Sequence, residues 1–184
     1  GTATAFADAG RAHYSLPPSN AGEPEVDDLT GLLPVAIGKA RSGPRTALIC
    51  DAYADDRVVL ELLDALREER RLEASEGEIR FIPTSRLAEI TFDEAPEVHT
   101  MSVEQSNTST IVGNAVVAKG YRRLHRGIHL ELEVARFLTE KANYANTPPL
   151  LGSIEHVADD GTCMALCIVQ GYVDNQGDGW RYTL

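Results

Sequence analysis

Ile111-Val112-Gly113-Asn114-Ala115-Val116-Val117-Ala118-Lys119 decides how this chain folds. Two apolar runs meet at Gly-Asn, a pair that tolerates the left-handed backbone of a tight turn, so the stretch predicts a β-hairpin. Upstream, Val98 to Val103 reads as a strand, followed by the polar run Glu104-Gln105-Ser106-Asn107-Thr108-Ser109. Downstream, Ile128 to Lys141 reads as a helix with Leu130, Val134, Phe137 and Leu138 on its inner side. Asn146-Thr147-Pro148-Pro149 ends that segment. Leu151 to Val157 and Thr162 to Val169 read as two more strands around a turn at Asp159-Asp160-Gly161. The second half therefore runs strand, strand, strand, helix, strand, strand.

The first half offers a second strand-and-helix set. Thr46 to Cys50 reads as a short buried strand, and Asp55 or Asp56 caps the helix that follows. Val58, Val59, Leu62, Leu63 and Leu66 make its apolar stripe, and Arg67, Arg70 and Arg71 lie at its C-terminal end, where the dipole favours cations. Glu78 to Pro83 alternates as a strand does, and Arg86 to Phe92 is expected to be another strand. Pro17 to Asp28 reads as a loop, its acids solvated. The acidic stretch Asp93-Glu94-Ala95-Pro96-Glu97 is the expected boundary between residues 1–97 and residues 98–184.

Composition narrows the function classes. The 184 residues are 43% hydrophobic, enough for a core. They carry 17 Lys plus Arg against 28 Asp plus Glu, a net charge of −11. That sign disfavours nucleic acid, whose binders neutralise phosphates, and an anionic membrane surface. No run approaches the roughly 20 apolar residues of a membrane span, and no basic stretch precedes an apolar one as in a secretory signal. Cys50, Cys163 and Cys167 are an odd set that suits buried thiols in a reducing compartment, so a cytoplasmic location is expected. His125 and His129 stand four apart with no third ligand beside them and read as surface residues; no metal site is expected.

A lysine ending the third strand, with acids on the next helix, follows the plan of a kinase small lobe. There a strand lysine grips nucleotide phosphates and a helix glutamate holds the lysine. Lys119 takes the first place; Glu131 and Glu133 compete for the second, and helical pattern alone does not rank them.

Longer runs sharpen this. Glu104 to Ser109, Lys119 with Tyr121-Arg122-Arg123, Glu133-Val134-Ala135-Arg136-Phe137-Leu138-Thr139-Glu140, Asn146-Thr147-Pro148-Pro149-Leu150 and Gln170-Gly171-Tyr172-Val173-Asp174-Asn175-Gln176-Gly177-Asp178-Gly179-Trp180 resemble the small lobe of bacterial maltokinases, most closely the type fused to trehalose synthase. Ile49-Cys50-Asp51-Ala52-Tyr53 and Phe81-Ile82-Pro83-Thr84 resemble the maltokinase N-terminal cap. The likeness covers nearly the whole chain, more weakly before residue 45.

The resemblance implies an α+β chain of two antiparallel sheets, each with a packed helix. Residues 1–97 would be part of a cystatin-like cap, and residues 98–184 an aminoglycoside-phosphotransferase-like small lobe ending after the hinge. The implied activity is transfer of the γ-phosphate of ATP, with Mg2+, to the anomeric hydroxyl of maltose, in trehalose and α-glucan metabolism. Ser106, Asn107, Thr108 and Ser109 would turn over the phosphates, where backbone N–H groups and short hydroxyls can replace glycines. Lys119 would pair with the α- and β-phosphates, Glu133 would orient it, and Gln170, Tyr172 and Val173 would form the hinge beside adenine. The chain holds no His-x-Asp, and a catalytic carboxylate and metal ligands belong to the kinase large lobe, so no catalytic residue is expected here and the chain alone is expected to be inactive. Gly120 departs from the bulky residue usual in the family. The expected partners are the large lobe, trehalose synthase and, through an uncovered apolar face, a second copy of the chain. The rival expectation is a non-catalytic cap-like binding or assembly module docking to trehalose synthase; a third is a different small-molecule phosphotransferase with the same lobe.

Overall fold

The computed structural model describes residues 5–9, 12–16, 36–42, 45–50, 53, 55–91, 95–103 and 107–174, with side chains from 53 onward apart from 102–103. The loop expected at Pro17 to Asp28, residues Asp93 and Glu94 of the expected boundary, and the Asn175 to Trp180 run lie outside the described residues.

Two hairpins open the chain: β1 (Ala5–Ala9) with β2 (Ala12–Leu16), and β3 (Ala36–Ser42) with β4 (Arg45–Cys50). Helix α1 (Asp56–Arg67) follows, then β5 (Arg71–Glu73) and β6 (Glu78–Pro83). Next come β7 (Val98–Val103), β8 (Asn107–Val112), β9 (Val116–Tyr121), helix α2 (Leu130–Arg136), β10 (Leu150–Val157) and β11 (Cys163–Gly171). The expected succession in the second half is found. The expected pair of sheets is not: β5 to β11 form one seven-stranded antiparallel sheet in the order β5-β6-β10-β11-β9-β8-β7. Strand β6 pairs with β10 from Gly152 opposite Pro83 to Val157 opposite Glu78, so the sheet runs through from before residue 97 to after it. The reason lies in β10. Its residues Leu150 to His156 are all buried, which requires a strand neighbour on each side and a covering layer on each face.

One covering layer is α1. Asp55 caps it, its carboxylate accepting from the Arg57 N–H at 3.0 Å. Val59, Leu63 and Leu66 of the expected stripe are buried, each contributing on the order of 1.5–3 kcal/mol. The helix sits close on the sheet at Gly152, where a Cβ would lie 2.8 Å from Leu66 Cδ2 and from the Ile82 carbonyl oxygen.

The strand expected at Arg86 to Phe92 is instead a 3-10 turn at Ser85–Glu89. Thr84 leaves the sheet there, its hydroxyl donating to the Leu150 carbonyl at 2.6 Å and its own carbonyl accepting from the Leu87 N–H at 3.1 Å. Leu87 is thereby buried, which an edge strand would not achieve. The hairpin turn is as expected, with positive φ at both Gly113 (57°) and Asn114 (49°), the backbone that the Gly-Asn pair admits.

The second covering layer, α2, departs from expectation. It continues through a π turn at Phe137–Lys141, and its buried residues are Leu132, Ala135 and Thr139. Leu130 (72% exposed), Val134 (46%) and Phe137 (59%), expected inside, face out. The sheet face beneath is polar. Arg136 reaches down to the Ser153 hydroxyl (2.9 Å) and the Glu155 carboxylate (2.7 Å), and the Thr139 hydroxyl accepts from the Leu150 N–H (2.8 Å). A helix turned to satisfy buried Glu155 cannot also bury its apolar stripe.

Among the described residues, no helix is long and apolar enough to cross a membrane.

Candidate functional site

Lys119 lies on β9 opposite Ser109 of β8 and Ile168 of β11. Paired residues of antiparallel strands share a face, and Ile168 is itself opposite Ser153, which Arg136 of α2 contacts. Lys119 therefore stands on the α2 side of the sheet. Residue Tyr121, two further along the same strand, shares that side.

The next element supplies the counter-charge. Glu131 stands in the first turn of α2, where the positive helix end favours a carboxylate. Its two oxygens accept from Lys119 Nζ at 2.9 and 3.0 Å, and Oε2 also accepts from the Tyr121 hydroxyl at 2.8 Å. Glu133, which the family resemblance places as the lysine's partner, is exposed instead. Two residues along a helix turn the side chain by about 200°, so only one of the two acids can face the sheet. His129 fixes where the helix begins: its Nδ1 accepts from the Leu132 N–H at 3.4 Å, and its ring lies 4.4 Å from that of Tyr121. This histidine, expected as an ordinary surface residue, is a half-buried cap.

Electrostatics follow from these contacts. Burial disfavours the Glu131 charge, but hydrogen bonds from Lys119 and Tyr121, with the nearby charges of Lys119 and His129, overcome it and hold the carboxyl below its usual range. Burial, then the bond to Glu131, pushes the Tyr121 phenol far up, so it remains a donor. Burial lowers the His129 imidazole, outweighing the pull of Glu131. The Lys119 side chain is 27% and the Glu131 side chain 40% exposed, so the pair is open to a ligand.

Three residues of the expected phosphate turn are strand residues. Asn107, Thr108 and Ser109 lie in strand β8, and Ser106 lies outside the described residues. Asn107 and Ser109 stand opposite Tyr121 and Lys119, on the ion pair's side. Thr108 points through the other face, buried, with its hydroxyl accepting from Arg122 Nε at 2.9 Å. Thr108 and Ser109 pair with strands on both sides, whereas Asn107 pairs with β9 alone. At the other end of the same face, Gln170 is opposite Val117. Tyr172 donates its N–H to the Ala115 carbonyl at 2.8 Å, and Val173 is 52% exposed. The expected hinge residues thus stand at the hairpin end of β9, with the ion pair nearer its opposite end.

Gly120, the departure from the family pattern, has a steric cause on the far face. A Cβ there would fall 2.0 Å from the Tyr53 ring, so the glycine admits an aromatic from the first half. Cys167, opposite Gly120, is fully buried, which raises its thiol to about 12. Cys163, expected to be buried, is only half so. Sequence reasoning missed the roles of Tyr121 and His129. The strand spacing of Lys119 and Tyr121 could have signalled the first.

Known proteins add little. The chain matches no protein-family profile. Among solved structures it is similar to one titled "Glucosamine kinase (crystal form B)", with a TM-score of 0.46 and 17% identity over 99% of this chain and 35% of that one. The chain thus spans about a third of that protein's length, and at this level the likeness carries over no residue role and no substrate.

Proposed function

We propose that this chain supplies the nucleotide-binding half of an ATP-dependent phosphotransferase. The observation that carries the proposal is the ion pair of Lys119 with Glu131 across a strand and the helix that follows it, open to solvent on one side. Lys119 would meet the α- and β-phosphates, Glu131 would keep its ammonium in place, and Gln170, Tyr172 and Val173 would border adenine. Residues 1–97 would act as a cap and residues 98–184 as the small lobe. The catalytic carboxylate and the Mg2+ ligands would come from a large lobe. Among the described residues, no group of three His, Cys, Asp or Glu could hold a metal. Maltose is the proposed acceptor, on the sequence resemblance alone.

The test is transfer from ATP to maltose, with glucose and glucosamine as further acceptors, by the protein as its gene encodes it. Lys119→Met is expected to lower kcat/KM by about 10²–10³-fold, as for other removed transition-state contacts. Unchanged transfer in that variant would overturn the nucleotide role; transfer to another sugar in preference to maltose would overturn the acceptor. The uncovered face of Leu130, Val134 and Phe137 favours a second reading, a non-catalytic module that docks on trehalose synthase. Binding to that enzyme with no response to Mg2+ and ATP would select it.

A further inference from the structure

We infer that Tyr121 is a positioning residue: its hydroxyl holds the Glu131 carboxylate turned toward Lys119, so that the strand and not the helix alone sets the geometry of the ion pair. The inference rests on the nucleotide role proposed for that pair. A lysine ammonium is a point charge with three rotating donors, and it fixes the distance of a carboxylate better than its direction. Glu131 is 40% exposed in the first turn of α2, where water competes for it. A second donor on a rigid ring removes that freedom.

Tyr121 is built for this. It is 8% exposed, and its hydroxyl meets Glu131 Oε2 at 2.8 Å while both carboxylate oxygens remain on Lys119. Its ring lies against the His129 ring, and His129 in turn caps the helix that carries Glu131. Lys119 Nζ is 5.7 Å from the centre of the same ring. If Tyr121 only filled space, phenylalanine would serve, and the phenol oxygen would cost desolvation for nothing. The groups facing Glu131 are Lys119 and Tyr121 from β9 and His129 from the turn before α2, with His125 acting on His129.

The experiment compares Tyr121→Phe, Glu131→Gln and the double variant in the protein as its gene encodes it, with Lys119→Met as control. Tyr121→Phe is expected to raise the KM for ATP about tenfold, the worth of one charge-assisted hydrogen bond, with kcat nearly kept. The acid limb of the KM profile should move to higher pH, because the carboxyl loses a bond that favours its charged form. In the Glu131→Gln background the same substitution should add little. Carboxyl NMR of Glu131 in the 184-residue chain gives a reading independent of activity: its titration should move up in Tyr121→Phe. If Lys119→Met loses ATP binding while Tyr121→Phe changes neither KM nor that titration, the positioning role is overturned and the nucleotide role stands. If Lys119→Met binds ATP normally, both fall.

Discussion

Helices α1 and α2 cover opposite faces of the same sheet, and their sequences advertise the same thing, an apolar stripe at helical spacing. Only α1 buries its stripe. It lies over Gly152, Ile154, Ile79 and Phe81, apolar ground on which Val59, Leu63 and Leu66 lose water and little else. Helix α2 lies over Lys119, Ser153 and Glu155, turns Glu131 and Arg136 down to meet them, and accepts the Leu150 N–H on Thr139. A helix follows the chemistry of the surface below it, and its own periodicity decides only when that surface is apolar.

The comparison breaks first at Leu66. Leu66→Ala is expected to cost about 2–5 kcal/mol in denaturant unfolding, since a fully buried side chain leaves a cavity against Gly152. On the other face, Arg136→Leu is expected to cost about 1–3 kcal/mol by stranding the buried Glu155, and adding Glu155→Leu should return most of it. Gly120→Ala probes the join between the halves: the methyl group meets the Tyr53 ring, and a loss of about 1–3 kcal/mol should shrink when Tyr53→Ala is added.

Acid should distinguish the faces as well. Burial disfavours the charged form of His129 in the fold, so its share of stability is intact above about 6.5, its ordinary value, and declines as pH falls from there toward its lowered folded value. Glu131, also lowered, keeps its share above the usual carboxylate range and loses it as pH falls through that range to its own folded value. Thermal midpoints between pH 8 and 4 should therefore drop less in His129→Asn, which keeps a capping side chain, than in the native chain. The smallest effect sharpens the contrast most: Val134→Ser is expected within about 0.5 kcal/mol of the native chain, whereas Val59→Ser should unfold it far more readily.

Much of the second half could be read along the chain, because hairpin and strand signals are local. Gly113-Asn114 prescribes its turn whatever surrounds it, and Asp55 caps α1 with its own neighbours. The lysine could be read too, from its place at the end of a strand. Its partner could not. Glu131 and Glu133 differ only in which faces the sheet, and that is decided by His129 starting the helix and by Arg136 answering Glu155, residues up to 26 positions apart. The merging of two expected sheets was equally hidden, since a strand such as Glu78 to Pro83 shows its alternation but not its neighbour. The 3-10 turn at Ser85–Glu89 depends on Leu150, far downstream.

Six residue pairs in register join β6 to β10. A shortened gene starting at residue 98 would tear that seam. It would bare the eight-residue edge of β10, an unpaired strand edge of the kind that recruits other chains, and the product should precipitate before its ligands could be surveyed. Anyone grafting the second half onto another scaffold must carry Glu78 to Pro83 along as its hem.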